Sequence, residues 1–170
     1  MEPDNDDSLT MNIAEISDAG ADTLWMMSHY TGVAGQGELG ADRLFYGLLQ
    51  GQFGNITRQH AVAAGRIDFR YGTTNPVVIE LVLRSSHDSR AQLYARTNRS
   101  ELSKLTRVRS ARMRVLLLLD RSRDPIAQDI LRANYRNEHA GRGNFARHSV
   151  RVIYVHQNGA AYHFSWNPFA

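Results

Sequence analysis

The sequence predicts one α/β domain in which a central mixed sheet is flanked by helices. Three observations carry that expectation. Short segments alternate apolar and polar residues with period two, other segments carry apolar residues at helical spacing, and the two kinds are interleaved along the chain. No internal repeat or linker divides them, which favours a single α/β unit. The chain has 170 residues, 42% of them hydrophobic and 22% charged, enough to bury a real core.

The elements follow in order. Residues 1–9 read as a disordered acidic tail, leaving 10–170 as the domain. Leu24, Met27 and Tyr30 have helical spacing and predict a helix from about Asp22 to Tyr30. After the glycine-rich GVAGQGELG, Leu44, Phe45, Leu48 and Leu49 form the apolar side of a second helix, stopped at Gly51 or Gly54. A strand is expected around His60 to Ala64. GRIDFRY and VVIELVLR then alternate as two strands, with the loop residues GTTNP between them. RAQLYARTNRSELSKLTRV reads as one helix with Tyr94, Asn98, Leu102 and Leu105 on its apolar side and a basic face elsewhere. The run Val115–Leu119 is short, continuous and bounded by polar residues, as in a strand buried on both faces. Asp124 and Pro125 suit the first positions of a further helix, with Ile126, Ile130 and Leu131 facing inward. SVRVIYVHQ and AAYHFSW flank Asn158-Gly159, a strong hairpin signal.

Composition narrows the function classes. No run approaches the roughly 18 apolar residues of a membrane span. The acidic start is unlike a signal or transit peptide, so a cytoplasmic location is expected. Without cysteine there is neither a disulfide framework nor a thiolate metal site. Net charge is +3, and because the first eight residues carry −4, the rest carries +7. Of the twenty basic residues only Lys104 is lysine. Arginine forks suit phosphate and carboxylate, although high genomic GC content gives the same bias. HExxH, GxSxG and a Walker loop are absent from the sequence. His156 and His163 fall on the last hairpin, where they are placed to meet across it.

The chemistry centres on the first hairpin. If it is symmetric about Thr74, Asp68 lies opposite Glu80, Arg66 opposite Val82 and Arg70 opposite Val78. Two acids facing each other at about 5 Å repel. Such a pair is explained by a bound divalent cation or by neutralising arginines, for which Arg66, Arg70 and Arg84 are the candidates.

With these residues in place, the chain resembles the PD-(D/E)xK nuclease superfamily, whose restriction-endonuclease-like core has the order αβββαβ. The resemblance spans about Gly37 to His156 and leaves a C-terminal hairpin beyond the core. Asp68 in RIDFR matches the first acid and Glu80 in IELVL the second. Gln92 in RAQLYAR matches the Gln that often follows on the next helix, and Glu38 is similar in placement to an acid on the first core helix. The motif lysine position is occupied by Val82, with Arg84 further along the same face.

The resemblance implies a single nuclease-like domain and a metal-dependent endo- or exonuclease hydrolysing phosphodiester bonds in DNA, or in RNA. Mg²⁺ or Mn²⁺ would be held by Asp68, Glu80, the backbone carbonyl of Leu81 and Glu38. Asp68, Glu80, Arg84 and Gln92 would be catalytic. Arg66, Arg96, Arg99, Lys104 and Arg107 would hold the nucleic-acid backbone. A homodimer would let two copies grip a duplex, and the aromatics Tyr162, Phe164, Trp166 and Phe169 either pack on the core or form that contact. The alternative is an inactive nuclease-like fold that serves as a nucleic-acid-binding, protein-interaction or assembly module. In a third reading the acids are simply paired by arginines in a structural subunit.

Overall fold

The structure, a computed structural model, describes residues 3–30 and 37–170, with side chains at 6–19 and 40–170. Two helices come first, α1 (Pro3–Tyr30) and α2 (Gly37–Phe53). Three strands follow, β1 (Ile56–Val62), β2 (Gly65–Tyr71) and β3 (Val77–Arg84). A 3₁₀ turn (Arg90–Leu93) leads to α3 (Arg99–Thr106), β4 (Met113–Asp120), α4 (Gln128–Arg136), β5 (Val150–His156) and β6 (Ala161–Trp166).

Among the described residues the strands form one open sheet in sequence order, β1 to β6. It is antiparallel at both ends and parallel at β3–β4 and β4–β5. This is the mixed, helix-flanked α/β sheet that the alternating periodicities predict. Both parallel crossovers step across the sheet in the same direction, so crossovers of one hand put α3 and α4 on one face. Leu102 and Leu105 of α3 and Leu131 and Tyr135 of α4 pack there on Val82, Leu116 and Leu118. On the other face Ile13 of α1 and Phe45 and Leu49 of α2 pack on Ile79, Leu81 and Leu117. Residues 115 to 119 of β4 alternate between these two cores, and all five are fully buried. A leucine or valine buried this way contributes about 1.5–3 kcal/mol.

Several elements depart from expectation. The helix expected at 22–30 is the last part of α1, which begins at Pro3, so residues 3–9 are helical rather than a disordered tail. Leu9, Ile13 and Ala14 bury one side of it, and Asp6 and Asp7 approach Arg112 and Arg151. The acids that read as a disordered tail are thus charge partners of the sheet end.

The segment 90–108 is not one helix. Asn98 Nδ2 donates to the carbonyls of Gln92 and Tyr94, and Asn134 Oδ1 accepts from the amide of Ala95. Those side-chain bonds replace helical ones and hold a turn before α3.

Helix α4 starts after Ala127, not at Asp124. The amide of Ile126 donates to Tyr154 Oη, which pins the chain before it enters the helix, and Ile130 faces out. In the last hairpin His163 lies opposite Ile153, while His156 is buried with Nε2 2.8 Å from the carbonyl of Ser122, so the two histidines do not meet. Phe164 and Trp166 pack into this chain's own core, and Trp166 Nε1 donates to the carbonyls of Tyr135 and Glu138.

Candidate active site

The β2–β3 register is the expected one, with Tyr71, Arg70 and Phe69 opposite Val77, Val78 and Ile79. Regular pairing stops there, one step short of Asp68 and Glu80. On the other side of β2, Arg58 pairs with Phe69 and His60 with Ile67, while Gln59 and Asp68 drop out of the ladder. Gln59 has φ +50°. Residues two apart on a regular strand share a face, yet Ile67 belongs to the α3/α4 core and Phe69 to the α1/α2 core. The strand turns over at Asp68.

That irregularity frees the Asp68 carboxylate to work between the strands. Its Oδ2 accepts from the amide of Leu81 at 2.8 Å, and its Oδ1 accepts from Gln59 Nε2 at 3.2 Å. The Leu81 bond satisfies an amide on the side where β2 has diverged from β3.

Glu80 is 2% exposed and sits on the α3 side of β3. Its Oε1 is ion-paired with Lys104 Nζ, which also donates to the carbonyl of Arg66 at 2.7 Å. Burial, a side-chain hydrogen bond to Asp68 and the repulsion of that carboxylate push the Glu80 carboxyl up to about 9, with Lys104 only partly opposing them. Near neutral pH Glu80 therefore tends to keep its proton. A cleft of about 300 Å³ opens onto this group, walled by Asp68, Glu80, Gln92, Asn98, Glu101 and Lys104.

The structure places the remaining expected site residues as follows. Gln92 lies in the wall of the cleft. Leu81 also lines it and contributes its amide to Asp68. Arg84 is a correction. Its Nη1 donates to Asp120 Oδ2 at 3.2 Å and its Nε to the carbonyl of Asp88, away from the acid pair. Four residues along β3 carry it about 13 Å from Glu80, and buried Asp120 is the acid within its reach. Glu38 lies in the first turn of α2, and its side chain is outside the described residues.

Of the residues expected on the nucleic-acid backbone, Arg66, Arg96 and Arg107 are exposed. Arg99 is ion-paired with buried Glu138, and Arg107 Nη2 donates to the carbonyl of Asn144. Lys104 reaches Glu80 and the Arg66 carbonyl rather than an outer basic face. The turn at 94–98 also separates Arg96 from α3, so these arginines do not share one helix face. Among the described residues, no arginine is paired with Asp68 or Glu80. The cation set against Glu80 is Lys104.

Sequence reasoning named Lys104 for the nucleic-acid backbone but not for the acid pair, and missed Gln59. One signal pointed to Lys104: it is the single lysine in a chain that otherwise uses arginine. Nothing in the sequence marks Gln59, whose part depends on a left-handed backbone in mid-strand.

Among the described residues no group of three or more His, Asp or Glu is arranged to hold a metal ion. Mg²⁺, however, commonly takes one or two carboxylates and completes its shell with water and substrate phosphate. Two carboxyl groups lining one cleft fit that demand, and a cation bound there would displace the proton of Glu80. Compared with known proteins, the chain matches no family model, no curated protein and no solved structure.

Proposed function

We propose that the Asp68–Glu80 cleft is the active site of a metal-dependent nuclease that hydrolyses phosphodiester bonds in DNA, or in RNA. The observation that carries this reading is two acids, Asp68 and Glu80, lining one cleft, with the only lysine of the chain against Glu80. The succession α2, β1, β2, β3, α3, β4 has the order of the restriction-endonuclease-like core and supports the same reading.

Asp68 and Glu80 would hold Mg²⁺ or Mn²⁺. Such an ion supplies a Lewis acid for the phosphoryl oxygen and a bound water of lowered pKa. The chain's own groups have separable parts. Asp68 is oriented by the Leu81 amide and by Gln59. Glu80 gives up its proton when it becomes a ligand. Lys104, with three donors and two contacts occupied, has one N–H left for a phosphate oxygen or the attacking water. Gln92 stands in the cleft wall to orient the water or a phosphate oxygen. Exposed Arg66, Arg96 and Arg107 would meet the backbone beyond the scissile bond.

The test is cleavage of end-labelled single-stranded and duplex DNA, and of RNA, in Mn²⁺ or Mg²⁺. Turnover is expected from the parent and loss of at least about 100-fold from Asp68→Asn, the scale of removing a principal catalytic group. Absence of turnover on every substrate would instead favour the inactive nuclease-like module.

A further inference from the structure

A second cleft, sharing no wall residue with the acid pair, opens at the N-terminal ends of β4 and β5. It measures about 380 Å³, and its wall includes Arg112, Arg114, Arg147, His148 and Arg151. Met113 is its one apolar side chain, so no surface is offered on which an acyl chain could lie. Four arginines line it; Arg114 spends Nε and Nη2 on the carbonyls of Val108 and Arg109, and Arg112, Arg147 and Arg151 are the forks left to suit phosphate oxygens.

The acids that face them fit poorly. Asp6 Oδ1 is buried without a hydrogen-bond partner, 3.9 Å from Arg112 Nη1. Asp7 Oδ1 is 3.4 Å from Arg151 Nη1 on a side chain 66% exposed. Arg151 Nη1 is shared between Asp7 and His163 Nδ1 at 3.1 Å, while Arg147 lies over the ring of Phe169 and, among the described residues, is paired with no carboxylate. Burial and then the charges of Arg114 and Arg109 hold the His148 imidazole below its ordinary value.

We infer that this cleft binds a run of phosphates on a nucleic-acid strand, and that Asp6 and Asp7 at the start of α1 are internal anions with which the strand competes. The choice of a nucleic-acid strand as occupant rests on the function proposed above. Phosphate oxygens would accept the arginine hydrogen bonds that Asp6 does not, while Leu9 and Ile13 keep the rest of α1 anchored.

The experiment is fluorescence anisotropy of a labelled single-stranded DNA oligonucleotide in EDTA across a salt series. The parent is expected to bind. Arg112→Ala/Arg147→Ala should bind about tenfold more weakly, with a salt slope flatter by about 1.4, or 0.7 per lost phosphate contact. Asp6→Asn/Asp7→Asn should bind about threefold more tightly, the size of one or two exposed ion pairs. Arg132→Ala, an exposed arginine in the wall of neither cleft, should bind like the parent, and binding in EDTA is read without cleavage, so failure of the cleavage reading and failure of this one are distinguishable. Arg147→Gln, at a position held only by ring stacking, gives the same direction if the double variant fails to fold. No binding by the parent, arginine variants that bind like the parent, or acid variants that bind no more tightly would overturn the inference. Tripolyphosphate binding more tightly than the strand would also overturn it, by assigning the cleft to free polyphosphate.

Discussion

Lys104 sets its ammonium against Glu80 Oε1 while donating to the carbonyl of Arg66 at 2.7 Å, so one side chain of α3 ties together β2 and β3 where their pairing has ended. Nineteen of the twenty basic residues are arginine, and the exception stands at the acid pair. Arginine stays protonated in proteins, whereas a lysine amine can lose or relay a proton and fits as a compact point charge.

Substituting this lysine therefore has a specific expected outcome. Lys104→Ala should lower DNA cleavage by about 100-fold or more, the range for removing a positioned acid–base group. Lys104→Arg should not restore it, because the fork cannot reproduce both contacts and cannot deprotonate. Cleavage rates beside circular dichroism of each variant check this. Recovery with arginine would show that charge alone suffices.

Glu80 makes stability depend on pH. It ionises near 4.5 in the unfolded chain and at about 9 in the fold, so between those values the folded protein holds a proton that the unfolded chain has lost. Its contribution falls as pH rises through that window and is level above it. In Glu80→Gln the amide N–H₂ can donate to Asp68 and the oxygen can accept from Lys104, without the ionisation. At pH 8 in EDTA this variant should be more stable than the parent by on the order of a few kcal/mol, with the gap closing toward pH 5. Thermal unfolding across that range is the measurement.

The backbone at Gln59 carries a cost of its own. A non-glycine residue with positive φ costs on the order of 1–3 kcal/mol and persists where its surroundings compel it. Gln59→Val should destabilise by about 2 kcal/mol or more, because a β-branched residue tolerates that conformation worse and the bond to Asp68 is lost. Gln59→Gly relieves the backbone and loses only the bond. Urea unfolding of the two variants separates the terms, and equal destabilisation would contradict this reading.

Much of the framework is legible in the residues. The alternation in GRIDFRY and VVIELVLR yields β2, β3 and their register, and the Val115–Leu119 run yields the central strand. The two acids follow from that register. Positions fixed by tertiary contacts are not legible. Asp68 works only because β2 leaves both of its ladders, which depends on a left-handed Gln59 that periodicity does not encode. Lys104 reads as part of a basic helix face until α3 is laid on β3. Arg84 reads as a neighbour of Glu80 until the parallel register sets it beside Asp120.

That last pairing is a matter of stability. Asp120 is fully buried and accepts from Arg84 Nη1, Tyr154 Oη and the amide of Ser122. Arg84→Ala should cost about 3–5 kcal/mol by leaving a buried carboxylate without its cation. Metal-ion binding by the folded fraction should be unchanged. Urea unfolding together with Mn²⁺ titration checks both halves, and a loss of metal binding in well-folded protein would return Arg84 to the site.

The measurement that tests the acid pair most directly is calorimetric titration of Mn²⁺ near pH 7 in two buffers of different ionisation enthalpy, beside Asp68→Ala/Glu80→Ala. If the cation replaces the proton of Glu80, the parent should bind with release of about one proton, and the double variant should show no binding. The titration is repeated with a short non-cleavable duplex, whose phosphate can complete the coordination shell. Binding without proton release, binding that survives in the double variant, or no binding with the duplex present would contradict the account.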